Sequence, residues 1–113
     1  MHELSIVEAL INLCEDNARA NNASKIDEVY VKIGRLSGIE TQLFERAFET
    51  FKQKTMCENA RLFIKLAPLL ARCENCGFNG ELKENVFLCP KCSSSELKII
   101  DGEDFYLMRL VMS

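Results

Sequence analysis

Ile26-Asp27-Glu28-Val29-Tyr30-Val31-Lys32-Ile33 alternates apolar and polar side chains, and Gly34 to Gly38 then turns the chain. A period of two sends Val29, Val31 and Ile33 to one side and Glu28, Tyr30 and Lys32 to the other, as in a half-buried strand. On both sides of this strand the period is helical. Leu4, Val7, Leu10, Ile11, Cys14 and Ala18 form one apolar stripe over residues 4–20. Ser5 and Glu8 fit a capping box that starts the helix near Ile6, while Leu4 fits a start closer to Met1. Asn21 and Asn22 suit its end, because asparagine tolerates the left-handed conformation. After the turn, Ser37 and Glu40 form a second possible capping box. The stripe Leu43, Phe44, Ala47, Phe48 and Phe51 follows and predicts a core-facing helix to about Lys54.

Residues 61–67 alternate again, with Leu62, Ile64 and Leu66 on one face, until Pro68 interrupts the run. Phe105 to Met112 is apolar and β-prone, and is expected to join the sheet as a buried strand. If it pairs with 61–67, everything between them is an insertion between sheet neighbours. The reading is an α+β fold, an α/β sandwich, in which a small three-stranded sheet packs with two helices. Its expected divisions are residues 1–69 with 102–113, and an inserted ribbon-like module at 70–101.

That insert holds Cys73-Glu74-Asn75-Cys76 and Cys89-Pro90-Lys91-Cys92. Two C-x-x-C pairs at this separation have the spacing of a tetrahedral Zn(II) site. Each pair presents two thiolates from one tight turn, and two facing turns close a tetrahedron; Gly77 and Pro90 help make those turns. Four cysteines fill the metal and leave no position for a substrate water, so the expected role is structural. The insert's main large apolar residues, Phe78, Leu82, Val86, Phe87 and Leu88, are too few for burial alone to hold it. Two disulfides would conflict with a reducing compartment, and a redox C-x-x-C lacks its strand–helix setting.

Composition supports that compartment. The 113 residues are 48% hydrophobic and 27% charged with net charge −3, as in a soluble globular protein. With neither a basic n-region nor a long apolar run at the start, no signal peptide or membrane span is read, and a cytoplasmic location is expected. Cys14 lies on the apolar stripe as an inert buried thiol, while Cys57 follows the second helix in a more polar segment that can leave it exposed. With one histidine, at position 2, Cys–His and Ser–His–Asp chemistry have little to build from. There is no phosphate-binding glycine loop either. The chain does not read as an enzyme.

His2 has another use. The Met1 α-amine, the His2 backbone nitrogen and the His2 imidazole come from adjacent covalent positions, and the Glu3 backbone nitrogen or carboxylate supplies a fourth donor. Nitrogen donors in a plane suit Ni(II) and Cu(II) better than magnesium, calcium or structural zinc. Copper wins on intrinsic affinity, so selection of nickel has to come from availability and partner.

Met1-His2-Glu3 with Ser5-Ile6, the run Ile33-Gly34-Arg35-Leu36-Ser37-Gly38-Ile39-Glu40, Leu43-Phe44 with Ala47-Phe48-Glu49, the two C-x-x-C pairs and the apolar last strand together resemble the HypA/HybF family. The resemblance covers essentially the whole chain. It implies a nickel metallochaperone for hydrogenase maturation, with nickel at Met1, His2 and Glu3 and zinc at Cys73, Cys76, Cys89 and Cys92. The implied partners are the GTPase HypB, the large subunit of [NiFe]-hydrogenase and, in some members, urease accessory proteins. Some relatives have a histidine in or beside the zinc module; this chain has none there.

A competing reading is a zinc-ribbon interaction module for nucleic acid or the transcription machinery. Within 71–101, however, Arg72, Lys83, Lys91 and Lys98 are offset by Glu74, Glu81, Glu84, Glu96 and Asp101. A phosphate-tracking surface needs a net basic stripe, and none is present.

Overall fold

The computed structural model describes residues 2–82 and 86–113, with side chains described from Glu3 onward. The element order is α1 (His2–Ala20), β1 (Ile26–Gly34), α2 (Thr41–Phe51), β2 (Arg61–Ala67), β3 (Leu70–Cys73), β4 (Asn79–Glu81), β5 (Leu97–Asp101) and β6 (Phe105–Met112). Helix α1 starts at His2, a turn ahead of the Ser5–Glu8 box, because Leu4 already packs on the core. It ends as its sequence predicts. Asn22 takes φ 58°, and the Ala23 N–H closes onto the Ala18 carbonyl at 2.8 Å.

The start of α2 differs from the predicted box. Glu40 is itself the N-cap, its carboxylate accepting from the Leu43 N–H at 2.7 Å. The Ser37 hydroxyl instead accepts from the Ile39 N–H at 3.3 Å. The left-handed turn at Gly38 (φ 80°) brings Glu40 to the cap position in extended conformation. The helix stops at Phe51, short of Lys54, and the Lys52 N–H bonds the Phe48 carbonyl. Phe44, Ala47 and Phe48 are buried, whereas Leu43 and Phe51 flank the stripe and stay partly exposed.

Strand β1 is central. The sheet order is β2-β1-β6, with β2 parallel and β6 antiparallel to β1. The parallel pair needs a crossover, and α2 supplies it. The last strand therefore pairs with β1 and not with residues 61–67, so the cysteine module is not inserted between sheet neighbours. Val29, Val31 and Ile33 are fully buried, and they meet Val7, Leu10 and Cys14 of α1 and Phe44 and Phe48 of α2 in one cluster. In β2, Leu62 and Ile64 reach that cluster, but Leu66 is mostly exposed.

Residues 70–101 contribute a second sheet, ordered β4-β3-β5, with both pairs antiparallel. Its own core is small: Leu69, Ala71 and Leu82, with Leu97 and Ile99 against them. The connections between the sheets meet at two glycines. A Cβ on Gly34 would collide with the Gly102 carbonyl oxygen, and Gly102 has φ +102° with its own Cβ position 2.7 Å from the Pro68 carbonyl oxygen. Around this crossing, Leu36 N–H bonds Gly102 O at 2.7 Å, Arg35 reaches the Leu82 carbonyl, and Lys32 pairs with Asp101 at 2.7 Å. Gly34→Ala should cost about 2 kcal/mol or more, because the obstructing atoms are backbone and cannot rotate away. Chemical denaturation would check this, with an exposed Gly77→Ala change as the φ-only comparison.

Candidate metal centre

Two tight turns carry the four module cysteines. Cys73 ends β3, and the Gly77 N–H returns to the Cys73 carbonyl at 3.0 Å, with Gly77 at φ 80°. The second turn repeats the pattern: the Ser93 N–H bonds the Cys89 carbonyl at 2.8 Å, and Ser93 takes φ 64°. In each turn the backbone also points at a sulfur. Cys76 N–H lies 3.4 Å from Cys73 Sγ, and Lys91 and Cys92 N–H groups lie 3.3 and 3.4 Å from Cys89 Sγ. These donors favour thiolates over thiols.

The two turns face each other. Cys73 Sγ is 3.6 Å from Cys92 Sγ, Cys76 Sγ is 3.5 Å from Cys89 Sγ, and all four sulfurs lie within 4.8 Å of one another. Metal–sulfur bonds of about 2.3 Å in a tetrahedron put sulfurs roughly 3.8 Å apart, so the cluster is of the size that one metal ion needs. Cys73 and Cys89 are buried; Cys76 and Cys92 are exposed on the outer side.

Proton affinities in the cluster diverge. Asn75, whose amide donates to Cys92 Sγ at 3.6 Å, and the Ser94 N–H lower the Cys92 thiol to about 6. Desolvation opposes ionisation of Cys89, but the Cys92 and Lys91 N–H groups outweigh it and lower that thiol too. At Cys76 the Phe78 N–H favours the thiolate, yet desolvation and the three neighbouring sulfurs push the thiol up to about 12. Four sulfurs this close do not all ionise without a cation between them. A divalent cation held at the centre of the four sulfurs would let them ionise together.

Of the two remaining cysteines, Cys14 is buried as its place on the apolar stripe predicts, and Cys57 differs from expectation. Cys57, which its polar surroundings left open to solvent, is fully buried, like Cys14. The Met56 N–H donates to the Glu15 carboxylate at 3.0 Å, which draws this segment onto α1. A hydrogen bond to Cys57, together with burial, pushes the Cys14 thiol far up. Both belong to the main core and not to the cluster. Of the N-terminal trio, Glu3 lies in the first turn of α1, and its carboxylate accepts from the Glu40 N–H at 3.1 Å, tying the start of α1 to the start of α2. Met1 and the His2 side chain lie outside the described residues. Among the described residues, no helix is long and apolar enough to cross a membrane.

A helix-backed sheet joined to a ribbon with a closed four-thiolate cluster defines a small α+β metal-binding protein. A family model described as "Hydrogenase/urease nickel incorporation, metallochaperone, hypA" matches residues 1–112. The chain belongs to the HypA family of nickel metallochaperones. It is 64% identical to the hydrogenase maturation factor HypA of Campylobacter jejuni over 113 residues, 99% of each chain. Against the factor of the same name from Aquifex aeolicus it is 46% identical, covering 97% of this chain and 96% of the other. The solution structure of the Ni metallochaperone HypA from Helicobacter pylori has TM-score 0.71 at 36% identity, covering 97% of this chain and 96% of that one.

Proposed function

We propose that this protein binds Ni(II) through Met1, His2 and Glu3 and delivers it for maturation of [NiFe]-hydrogenase, with Zn(II) held structurally by Cys73, Cys76, Cys89 and Cys92. The matching family, whose description names nickel incorporation, carries this reading. The cluster geometry supports the division of metals. Four thiolates complete a tetrahedron and suit zinc, which leaves the nitrogen-rich terminus for nickel. With the Glu3 carboxylate held by the Glu40 N–H, the Glu3 backbone nitrogen is the better fourth donor. Residues 1–69 and 102–113 form the nickel-binding unit in this account, and 70–101 the zinc-binding unit.

As a carrier the protein performs no chemistry on its cargo. Its task is to grip nickel and release it, and four donors in a plane leave the axial faces of the metal open to an acceptor's ligands. HypB and the hydrogenase large subunit are the acceptors this role implies, in the cytoplasm, and urease accessory proteins are a further client. Acetylating the Met1 amine removes one donor and leaves every side chain intact. Calorimetry should therefore show weak or no Ni(II) binding by the acetylated protein, against one ion for the protein with a free amine. Equal binding by both would overturn the terminal site.

A further inference from the structure

Helices α1 and α2 pack on one face of the β2-β1-β6 sheet, and among the described residues nothing covers the other. The register builds that outer face in rows: Arg61 beside Glu28, Phe63 beside Tyr30 beside Arg109, and Lys65 beside Lys32 beside Tyr106. The β6 register shifts between Tyr30 and Val31. This bulge turns two consecutive side chains, Met108 and Arg109, outward. The rings of Tyr30 and Phe63 stack at 4.7 Å between centroids and 13° between planes. Arg109 lies 5.0 Å over Tyr30, and Arg61 lies 5.5 Å over Phe63. A groove of about 180 Å³ runs along this stack, edged by Lys65 and Met108.

The charges on the face fall into two groups. Arg61 is matched by Glu28 at 2.8 Å and Lys32 by Asp101 at 2.7 Å. Among the described residues, Lys65 and Arg109 are in no ion pair. An acidic chain of net charge −3 thus presents two cations outside direct ion pairs around a rigid aromatic groove, with Glu28 and Asp101 acting on them only at longer range. They sit on opposite edge strands, two strand spacings across and two residues along, or roughly 12 Å apart. An extended peptide spans that distance in about four residues.

We propose that this face docks an extended acidic segment of a partner protein, with two carboxylates four residues apart reaching Lys65 and Arg109 and an apolar side chain midway between them filling the groove against Tyr30, Phe63 and Met108. Methionine adapts to varied apolar shapes, which suits a surface meeting more than one partner. Nucleic acid fits less well: Glu28, Asp101 and Asp104 line the same side, and a continuous phosphate track needs a basic stripe. The face is independent of the nickel reading, since none of its residues belongs to either metal site.

The test is an NMR titration of untagged, zinc-loaded protein at low salt. The probe is an acetylated and amidated peptide of sequence glutamate–alanine–phenylalanine–alanine–glutamate, which puts both carboxylates and the ring on one face when extended. Amide shifts should cluster at Tyr30, Phe63, Lys65, Met108 and Arg109. A Lys65→Glu/Arg109→Glu double variant, changed only at exposed positions, should bind about tenfold more weakly, and so should the parent in high salt. Three results would overturn the proposal: no shifts on the sheet at millimolar peptide, unchanged affinity in the double variant, or a short oligothymidylate that binds the face more tightly than the peptide.

Discussion

Stripping the metal from the four-thiolate cluster should unfold residues 70–101 and leave the helix-backed sheet folded. The module cannot hold itself together by burial: Leu69, Ala71 and Leu82 are its buried core, while Val86, Phe87 and Leu88 are each about half exposed. Metal binding to such a site contributes on the order of 10 kcal/mol to folding, far more than this core supplies. A chelator, or Cys73→Ser at the buried end of β3, should collapse the amide dispersion of β3, β4 and β5. The signals of Val29, Val31, Ile33 and Phe48 should persist, since they belong to a separate cluster. Acid should act in the same direction. The Cys92 thiol is depressed from 9.0 to about 6, so its contribution is full above the ordinary thiol range and is lost as pH falls through about 6. A module that keeps its dispersion without metal would contradict this account of its stability.

The second large effect is at the terminus. His2→Ala should abolish stoichiometric Ni(II) binding, weakening it by more than the roughly 100-fold that loss of an outer-shell partner costs a metal site. Zinc content should be unchanged, because the four module cysteines lie with the second sheet. A short extension ahead of Met1 should reproduce the defect, since it replaces the primary amine with an amide while the imidazole stays. Glu3→Gln makes a milder comparison. It weakens the acceptor for the Glu40 N–H, now 3.1 Å away, while keeping the backbone donor. Nickel binding should then change far less than in His2→Ala.

Much of this architecture is legible in residue patterns because one face of each element is buried and the other is not. The period of β1 assigns Val29, Val31 and Ile33 inward, and all three are fully buried. The two C-x-x-C pairs predict a convergence that the sulfur distances bear out. Strand neighbours are harder to read. Periodicity says which face of β6 is apolar but not which strand it pairs with, and the pairing with β1 emerges only when both edges of β1 need partners. Cys57 misleads for a related reason. Its sequence neighbours are polar, yet the Glu15–Met56 bond folds the segment onto α1, an effect of residues 41 positions apart. The backbone approach of Gly34 to Gly102 leaves no periodic signal either, since it depends on how two connections cross. The proposed N-terminal chelate is the opposite case: its candidate donors are covalent neighbours, so the proposal comes from the sequence and not from the described structure.

The division of metals is the centre of the account, and spectroscopy on one sample tests it most directly. Untagged protein carrying one zinc should be given one equivalent of Ni(II), and the nickel environment read by X-ray absorption and ultraviolet–visible spectra. Planar nickel bound by nitrogen donors is expected, with zinc still held by four sulfurs. Intense thiolate-to-nickel charge transfer, with zinc displaced from Cys73, Cys76, Cys89 and Cys92, would contradict it.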